Sequence, residues 1–395
     1  MKRLKNEINS LVNRGVDRHL RLAVTGLSRS GKTAFITAMV NQLLNLHAGA
    51  RLPLLSAVRE ERLLGVKRVP QRDFGIPRFT YDEGLAQLYG DPPTWPTPTR
   101  GVSEIRLALR FRSNESLMRH FKDTSTLYLE IVDYPGEWLL DLPMLAQDYL
   151  SWSRQMTGLL QGQRAGWSAK WRQLCEGLDP LAPADENRLA AIAEAWTAYL
   201  HQCKQEGLHF IQPGRFVLPG DLAGAPALQF FPWPDVDGVG ESKLAQADRH
   251  TNAGMLRERY NYYCEKVVKG FYKNHFLRFD RQIVLVDCLQ PLNSGPQAFH
   301  DMRLALTQLM QSFHYGQRTL FRRLFSPVID KLLFAATKAD HVTVDQHANM
   351  VSLLQQLVQD AWQNAAFEGI GMDCLGLASV QAAQSGLIDL NGEKI

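Results

Sequence analysis

The sequence predicts an α/β protein with a mainly parallel sheet that is interrupted by a mainly helical insertion. Short apolar runs alternate with amphipathic helical segments at both ends of the 395-residue chain, and this alternation is typical of a parallel sheet covered by helices. Between residues 138 and 280 long helical patterns instead surround a stretch rich in proline and glycine. The length also favours two or three domains, at ~100–200 residues each.

The first part of the α/β core is predicted at residues 1–137. It includes a long excursion at 48–100, where several prolines interrupt any periodicity. The N-terminal helix is amphipathic and basic, and packing on the core is favoured over contact with a membrane. The predicted elements of this part are a helix over 1–20, a strand over 21–26, a helix over 32–46 and strands over 103–111 and 127–132.

The helical insertion is predicted at 138–280 and the second part of the core at 281–395. Six of the eight tryptophans lie in the insertion, which favours an aromatic core of its own over an interaction surface. The predicted elements are helices over 189–203 and 255–276 in the insertion, followed by a strand over 282–288, a helix over 301–321, a strand over 331–336, a helix over 344–365 and a strand over 375–380.

Composition excludes several classes of protein. Hydrophobic residues make up 45% of the chain and charged residues 21%, which indicates a globular interior. The net charge of +4 is too small to indicate a nucleic-acid partner. The five cysteines form no Cys-x-x-Cys pair, so a reducing compartment is expected. No secretory signal and no apolar run of ~20 residues is present, and we expect a cytoplasmic protein, with a peripheral position at a membrane as the alternative.

Residues 26–33 carry the strongest chemical signal. They read Gly-Leu-Ser-Arg-Ser-Gly-Lys-Thr and fit G-x-x-x-x-G-K-[ST] in full, between an apolar strand and a helix. In such a loop backbone N–H groups bind phosphate oxygens, Lys32 reaches the β- and γ-phosphates, and Thr33 ligates Mg²⁺. We therefore predict a P-loop nucleotide hydrolase. The predicted nucleotide-binding residues of this loop are Gly26, Ser28, Arg29, Ser30, Gly31, Lys32, Thr33 and Ala34.

A second acidic motif follows the strand predicted at 127–132. Asp133 and Gly136 form an Asp-x-x-Gly pattern, in which the carboxylate would hold Mg²⁺ through water and the glycine amide would bond the γ-phosphate. GTPases of this plan usually place a water-orienting Gln or His at the next position, which here is Glu137. A carboxylate can accept a hydrogen bond from water but repels the γ-phosphate. The catalytic role of Glu137 therefore stays open.

Residues 337–340 predict the identity of the base. Their sequence, Thr-Lys-Ala-Asp, is similar to the [NT]-K-x-D guanine motif. The carboxylate of Asp340 would accept from the ring N–H and the amine of guanine, a pair of donors that adenine lacks, and Lys338 would lie over the base and ribose. Thr337 replaces the commoner asparagine, which leaves the usual side-chain bridge to the phosphate loop in doubt.

Further contacts are predicted from other loops. Thr99, at the end of the excursion, is expected to complete the Mg²⁺ shell. Arg29 and Arg100 are candidates for a cation that stabilises the transition state, with packing or solubility as the alternative. The backbone of Ala378 or Ser379 is expected to contact guanine O6, with an ordinary buried strand as the alternative.

Three segments together resemble the YcjX-like family of bacterial P-loop GTPases along the whole chain. They are Gly-Leu-Ser-Arg-Ser-Gly-Lys-Thr at 26–33, Val-Asp-Tyr-Pro-Gly-Glu-Trp at 132–138 and Ala-Thr-Lys-Ala-Asp at 336–340. The resemblance implies a Ras-like core with a helical insertion, GTP binding, a link to stress responses and a neighbouring inner-membrane protein as partner. It also implies a terminal segment beyond the last residue of this chain.

The sequence thus predicts a GTPase that binds Mg²⁺ with GTP or GDP and acts as a regulatory switch. Segments around 92–100 and 133–140 would order around the γ-phosphate and relay that state to the insertion. Two alternatives stay open: an ATP-dependent enzyme or kinase with the same phosphate loop, and a scaffold that binds nucleotide without hydrolysing it. A homodimer that completes the site also stays open.

Overall fold

The computed structural model describes residues 18–46, 52, 55–112, 124–314, 331–359, 362–363, 371–382, 389–390 and 393–394. Seven strands of this part form the main sheet, and two short strands form a separate hairpin. In chain order the strands are β1 Arg18–Gly26, β2 Leu63–Arg68, β3 Ser103–Arg112, β4 Thr124–Asp133, β5 Arg281–Val286, β6 Lys331–Ala336, β7 Gly371–Gly376, β8 Asp389–Leu390 and β9 Glu393–Lys394.

The main sheet has the order β2-β3-β4-β1-β5-β6-β7. Strands β4, β1, β5, β6 and β7 run parallel to one another, whereas β3 pairs antiparallel with both β4 and β2 at one side. This arrangement confirms the predicted α/β class with a mainly parallel sheet. Because the carboxyl ends of parallel strands share one edge, the loops that follow β1, β4, β5, β6 and β7 all open on that edge.

Helices cover both faces of the sheet and form most of residues 149–274. They are α1 Lys32–Leu44, α2 Ser56–Arg59, α3 Tyr81–Leu88, α4 Tyr149–Gly158, α5 Gln163–Trp167, α6 Ala169–Cys175, α7 Glu186–Gln205, α8 Gly214–Val217, α9 Val236–Val239, α10 Glu241–Ala245, α11 Asn252–Tyr262, α12 Lys269–Asn274, α13 Leu289–Ser294, α14 Pro296–His314 and α15 His347–Leu357. A 3₁₀ segment, Gly136–Ala146, follows β4, and a π-helical turn, Tyr263–Val268, joins α11 to α12. None of the described helices is both long and apolar enough to cross a bilayer.

Three sequence-based expectations need correction. The excursion at 48–100 contains regular structure that the sequence did not predict. Strand β2 pairs with β3, and α3 packs beside α1. Periodicity missed β2 because its outer end is exposed at the edge of the sheet. Strand β1 begins at Arg18, so the expected N-terminal helix does not extend to residue 20, and residues 1–17 lie outside the described part. The last core strand, β7, spans Gly371–Gly376, whereas the sequence predicted it over 375–380.

Two hydrophobic clusters pack on the two faces of the sheet. On one face, Ile36 and Val40 of α1 pack with Leu107 and Ile131 of the sheet. The cluster on the opposite face runs without a break from the sheet through the insertion to α14 and α15. Five of the insertion tryptophans are buried in it, namely Trp138, Trp152, Trp171, Trp196 and Trp233. The insertion is therefore rich in buried aromatic rings, but its core is shared with the sheet.

Candidate nucleotide-binding site

The loop between β1 and α1 contains two residues with a left-handed backbone. Gly31 has φ 78° and Arg29 has φ 63°, so two residues adopt the left-handed region within three positions. A Cβ atom at Gly26 would lie 2.2 Å from the Ser30 hydroxyl oxygen, which explains the glycine there. No side chain of the described residues caps the start of α1. Its first N–H groups can therefore bind an anion, with the partial positive charge of the helix end.

Four predicted side chains meet beside this loop. Lys32 Nζ lies 2.5 Å from Asp133 Oδ1, and the Thr99 hydroxyl donates to Asp133 Oδ2 at 2.5 Å. The Thr33 and Thr99 hydroxyl oxygens are 3.3 Å apart. Asp133 is buried at the end of β4. The end of β4, the start of α1 and the loop before β3 thus bring a cation and three oxygen-bearing side chains into one cluster.

The donors in this cluster suit Mg²⁺. Two hydroxyl groups and one carboxylate are hard oxygen ligands, and Mg²⁺ in phosphate sites is held by one or two protein groups together with phosphate oxygens and water. The described residues contain no group of three or more His, Cys, Asp or Glu side chains that could hold a metal by themselves. A metal at Thr33, Thr99 and Asp133 would therefore need phosphate oxygens to complete its coordination.

The segment Gly136–Ala146 is held tightly between the phosphate loop and the insertion. A Cβ at Gly136 would lie 2.1 Å from the Gly26 carbonyl oxygen, so the two backbones are in direct contact. Glu137 is only 7% exposed, and its Oε1 lies 2.7 Å from Lys204 Nζ near the end of α7. Glu137 therefore lies close to the loop but is bound to the insertion.

The next residues of this segment also contact the insertion. The Trp138 ring is buried, its indole N–H donates to the Leu218 carbonyl at 3.0 Å, and the Arg215 guanidinium lies 3.3 Å from its ring centre. Asp141 accepts from the Gly214 amide at 2.7 Å and from the Tyr263 hydroxyl at 2.5 Å. Burial raises the pKa of Asp141 to about 7, although these hydrogen bonds oppose the shift.

The residues predicted to bind the base lie after β6 and β7. Lys338 has φ 60°, and its ammonium is 2.5 Å from Asp287 Oδ2. Asp340 accepts from the Ala382 amide at 2.8 Å, which joins the two loops. The Thr337 hydroxyl donates to the Val286 carbonyl at 3.4 Å. Thr337 therefore bonds to the neighbouring strand, where the commoner asparagine would bridge to the phosphate loop.

Other predicted residues are less engaged. Ala378 is exposed and Ser379 is half-buried in the loop after β7. Arg100 is exposed near Thr99. Arg29 is exposed too, and its guanidinium donates to the Gln205 carbonyl at 3.5 Å. The structure thus directs the Arg29 side chain to the last turn of α7.

Sequence reasoning missed two charged residues of this region. Asp287 is 2% exposed and fixes Lys338, and it also accepts from the Leu289 and Gln290 amides at 3.2 Å. A charge at the end of the apolar run of β5 could have indicated it. Lys204 belongs to no sequence motif. It lies in a helix of the insertion, 67 positions from its partner Glu137.

Comparisons with known proteins identify the family of this chain. The family model described as "YcjX-like family, DUF463" matches residues 20–395. A protein named Ras-like GTPase YcjX from Escherichia coli (strain K12) is 92% identical over 395 residues, which cover 100% of this chain and 85% of that protein. A protein of the same name from Shewanella oneidensis is 46% identical over 396 aligned positions, which cover 98% of this chain and 82% of that protein. The sheet order and the phosphate loop are consistent with the Ras-like core that these names describe. The chain therefore belongs to the YcjX-like family and is a GTPase-like protein.

Proposed function

We propose that this chain binds GTP with Mg²⁺, hydrolyses it, and acts as a nucleotide-dependent switch. The observation that supports this most is the convergence of Lys32, Thr33, Thr99 and Asp133 beside a phosphate loop. The relatives' names, which contain the word GTPase, agree with it. A role in bacterial stress response and an inner-membrane partner are expectations from the family resemblance, and a cytoplasmic location is an expectation from composition.

Each side chain of the cluster has a defined duty in this proposal. Lys32 would exchange its contact with Asp133 for the β- and γ-phosphate oxygens, and the freed carboxylate could then help to hold Mg²⁺. The Thr33 and Thr99 hydroxyl groups would hold the same ion. When bound, Mg²⁺ would neutralise the charge that develops on the β- and γ-phosphate oxygens. The backbone of Gly136 lies against that of Gly26, and its amide would bond the γ-phosphate.

Guanine is the proposed base. The Asp340 carboxylate lies in the loop after β6 and accepts from the Ala382 amide in the loop after β7. In the proposed site this carboxylate would accept from guanine N1–H and the amine. Asp287 binds the Lys338 ammonium, and the apolar stem of the Lys338 side chain would cover the planar ring of the base. The second candidate is an ATP-binding enzyme, because the phosphate loop by itself does not distinguish between the two bases.

A competition experiment tests the base assignment. Fluorescent GDP is titrated into the protein in Mg²⁺ buffer, and GTP and ATP compete for it. We expect GTP to compete at least about 100-fold better than ATP, because adenine would leave the Asp340 carboxylate without its pair of donors. Asp340→Ala should remove that preference, because the guanine donors then lose their acceptor. Lys32→Ala should abolish binding. Equal competition by ATP would move the chain to the ATPase class, and unchanged affinity in Lys32→Ala would refute the phosphate site.

Turnover separates the enzyme from a scaffold. Release of phosphate from GTP under single-turnover conditions is expected in the unaltered chain and not in Lys32→Ala. GTP that stays intact on the protein would instead support a non-hydrolysing, nucleotide-stabilised scaffold.

A further inference from the structure

The last turn of α7 reaches the proposed nucleotide site from the insertion. Lys204 pairs with Glu137, and the carbonyl of the next residue, Gln205, accepts from Arg29 of the phosphate loop. One turn of a distant helix thus contacts two different parts of the site. The side chains of Lys204 and Glu137 are only 24% and 9% exposed, so water screens this pair less than a surface pair.

The end of α7 is held in position by buried contacts. Gly207, with φ 85°, ends the helix against the side chain of Gln290. The amides of His209 and Phe210 both donate to Asp301 Oδ2, at 2.5 and 2.9 Å. Asp301 belongs to α14, which packs in the shared core. These contacts fix the position of the helix end that carries Lys204, the partner of Glu137.

The negative charge of Glu137 would repel a γ-phosphate, and the positive charge of Lys204 can offset that repulsion. In the proposed site the γ-phosphate would bind near Glu137, because Gly136, the preceding residue, touches the phosphate loop and Arg29 of that loop contacts Gln205, next to the partner of Glu137. Like charges at short range in a partly buried site disfavour each other. A diphosphate lacks the group that would be repelled. The repulsion would therefore select against GTP and leave GDP binding nearly unchanged.

We propose that Lys204 is a positioning residue that neutralises Glu137 and thereby admits the γ-phosphate. The insertion then contributes to the discrimination between GTP and GDP by a single ion pair. This inference rests on the proposed GTP-binding function and deepens it. It also assigns to the insertion a direct part in the nucleotide site, in addition to packing.

Affinity for GTP relative to GDP is the measurement that tests this role. GDP and a non-hydrolysable GTP analogue are titrated with each variant in Mg²⁺ buffer. Lys204→Ala is expected to lower the ratio of GTP-analogue to GDP affinity by about tenfold or more, since it leaves one charge of a partly buried pair without its partner. Lys204→Arg keeps the cation and is expected to retain most of the ratio.

A second substitution isolates the charge of Glu137. In Lys204→Ala/Glu137→Gln the repelling carboxylate is gone, and the ratio is expected to return to near that of the unaltered chain. Lys243→Ala, at an exposed lysine of α10 in the same insertion, is the matched control and should leave the ratio unchanged. GDP affinity and the thermal midpoint report any general loss of structure, which would lower both affinities together.

The outcomes separate this inference from the proposed function. If the unaltered chain binds no guanine nucleotide, the proposed function fails first. If it binds both nucleotides but Lys204→Ala leaves their ratio unchanged, the role of Lys204 is refuted and the function stands. A ratio that falls in Lys204→Ala without recovery in the double variant would also refute it, because Glu137 would not be the source of the repulsion.

Discussion

Asp133 shares its two carboxylate oxygens between Lys32 and Thr99. The side chains of this site therefore contact one another, and replacing one of them changes the hydrogen bonds of its neighbour. The sequence could predict these residues individually, because each belongs to a loop motif with its own spacing. It could not predict the partners of Glu137 and Lys338, which come from distant segments.

Thr99→Ala tests the metal role of the excursion loop. It removes a hydroxyl that lies 3.3 Å from the Thr33 hydroxyl and donates to Asp133. Affinity for a GTP analogue in Mg²⁺ is expected to fall about tenfold to 100-fold, the range of a lost hydrogen bond to a charged group, whereas GDP affinity should change little. Titration of both nucleotides measures this.

Thr97→Ala is the control for Thr99→Ala. The Thr97 hydroxyl accepts from Gln87 on the surface, two residues before the cluster. This variant should bind both nucleotides as the unaltered chain does. Equal losses in the two variants would mean that the loop, and not the Thr99 hydroxyl, matters.

Among the elements, the 3₁₀ segment Gly136–Ala146 connects the nucleotide site to the insertion. Its residues from Gly136 to Met144 are all buried. The sequence predicted a switch at 133–140 from the Asp-x-x-Gly pattern, but the burial of the whole segment was not predictable. Burial here depends on α7, α8 and the turn after α11, whose packing on this segment joins residues up to 122 positions apart.

Asp141 makes the stability of this segment depend on pH. Its pKa rises from 3.8 to about 7 in the folded chain because of burial. The folded state therefore binds a proton that the unfolded state has released, so the contribution of Asp141 to stability is fully present below pH ~4 and is lost as the pH rises to ~7. The fall attributable to Asp141 is at most about 4 kcal/mol, from three pKa units.

Urea unfolding at pH 5 and pH 8 measures this dependence. Asp141→Asn, which keeps a neutral side chain of the same shape, is expected to reduce the difference in unfolding free energy between the two pH values. Asp221→Asn changes an 83% exposed carboxylate nearby and should not. An equal pH dependence in Asp141→Asn and the unaltered chain would assign the effect to other groups.

On the scale of the whole molecule, the sequence predicted the parallel sheet and a helical region within it. Regular alternation of strands and helices is a local signal, and the core strands β5 and β6 lie close to where that signal predicted them. The edge strand β2 was missed, since exposure at an edge weakens the hydrophobic pattern. The shared core was also missed, because a sequence pattern shows which residues are apolar but not which of them meet.

A buried ion pair joins the insertion to the second part of the chain. Arg164 Nη2 of α5 lies 2.5 Å from Asp301 Oδ1 of α14, with side chains 7% and 8% exposed. The guanidinium also donates to the Phe210 carbonyl at 2.8 Å. With the continuous hydrophobic cluster, this pair should make the insertion and the sheet unfold together. The coupling would also carry a change at α7 into the rest of the molecule.

Arg164→Met tests this coupling. Removing one partner of a buried pair costs about 3–5 kcal/mol, because the remaining charge stays buried. We expect the urea midpoint of the variant to be lower than that of the unaltered chain. In both proteins, peptides of α7 and of β5 should lose their protection from hydrogen exchange at the same urea concentration. Arg154→Met, which breaks an exposed pair with Asp237 and Glu241, should lower the urea midpoint much less, because water screens exposed ion pairs. Separate midpoints for α7 and β5 in the unaltered chain would show that the insertion is an independent folding unit, despite the core that it shares with the sheet.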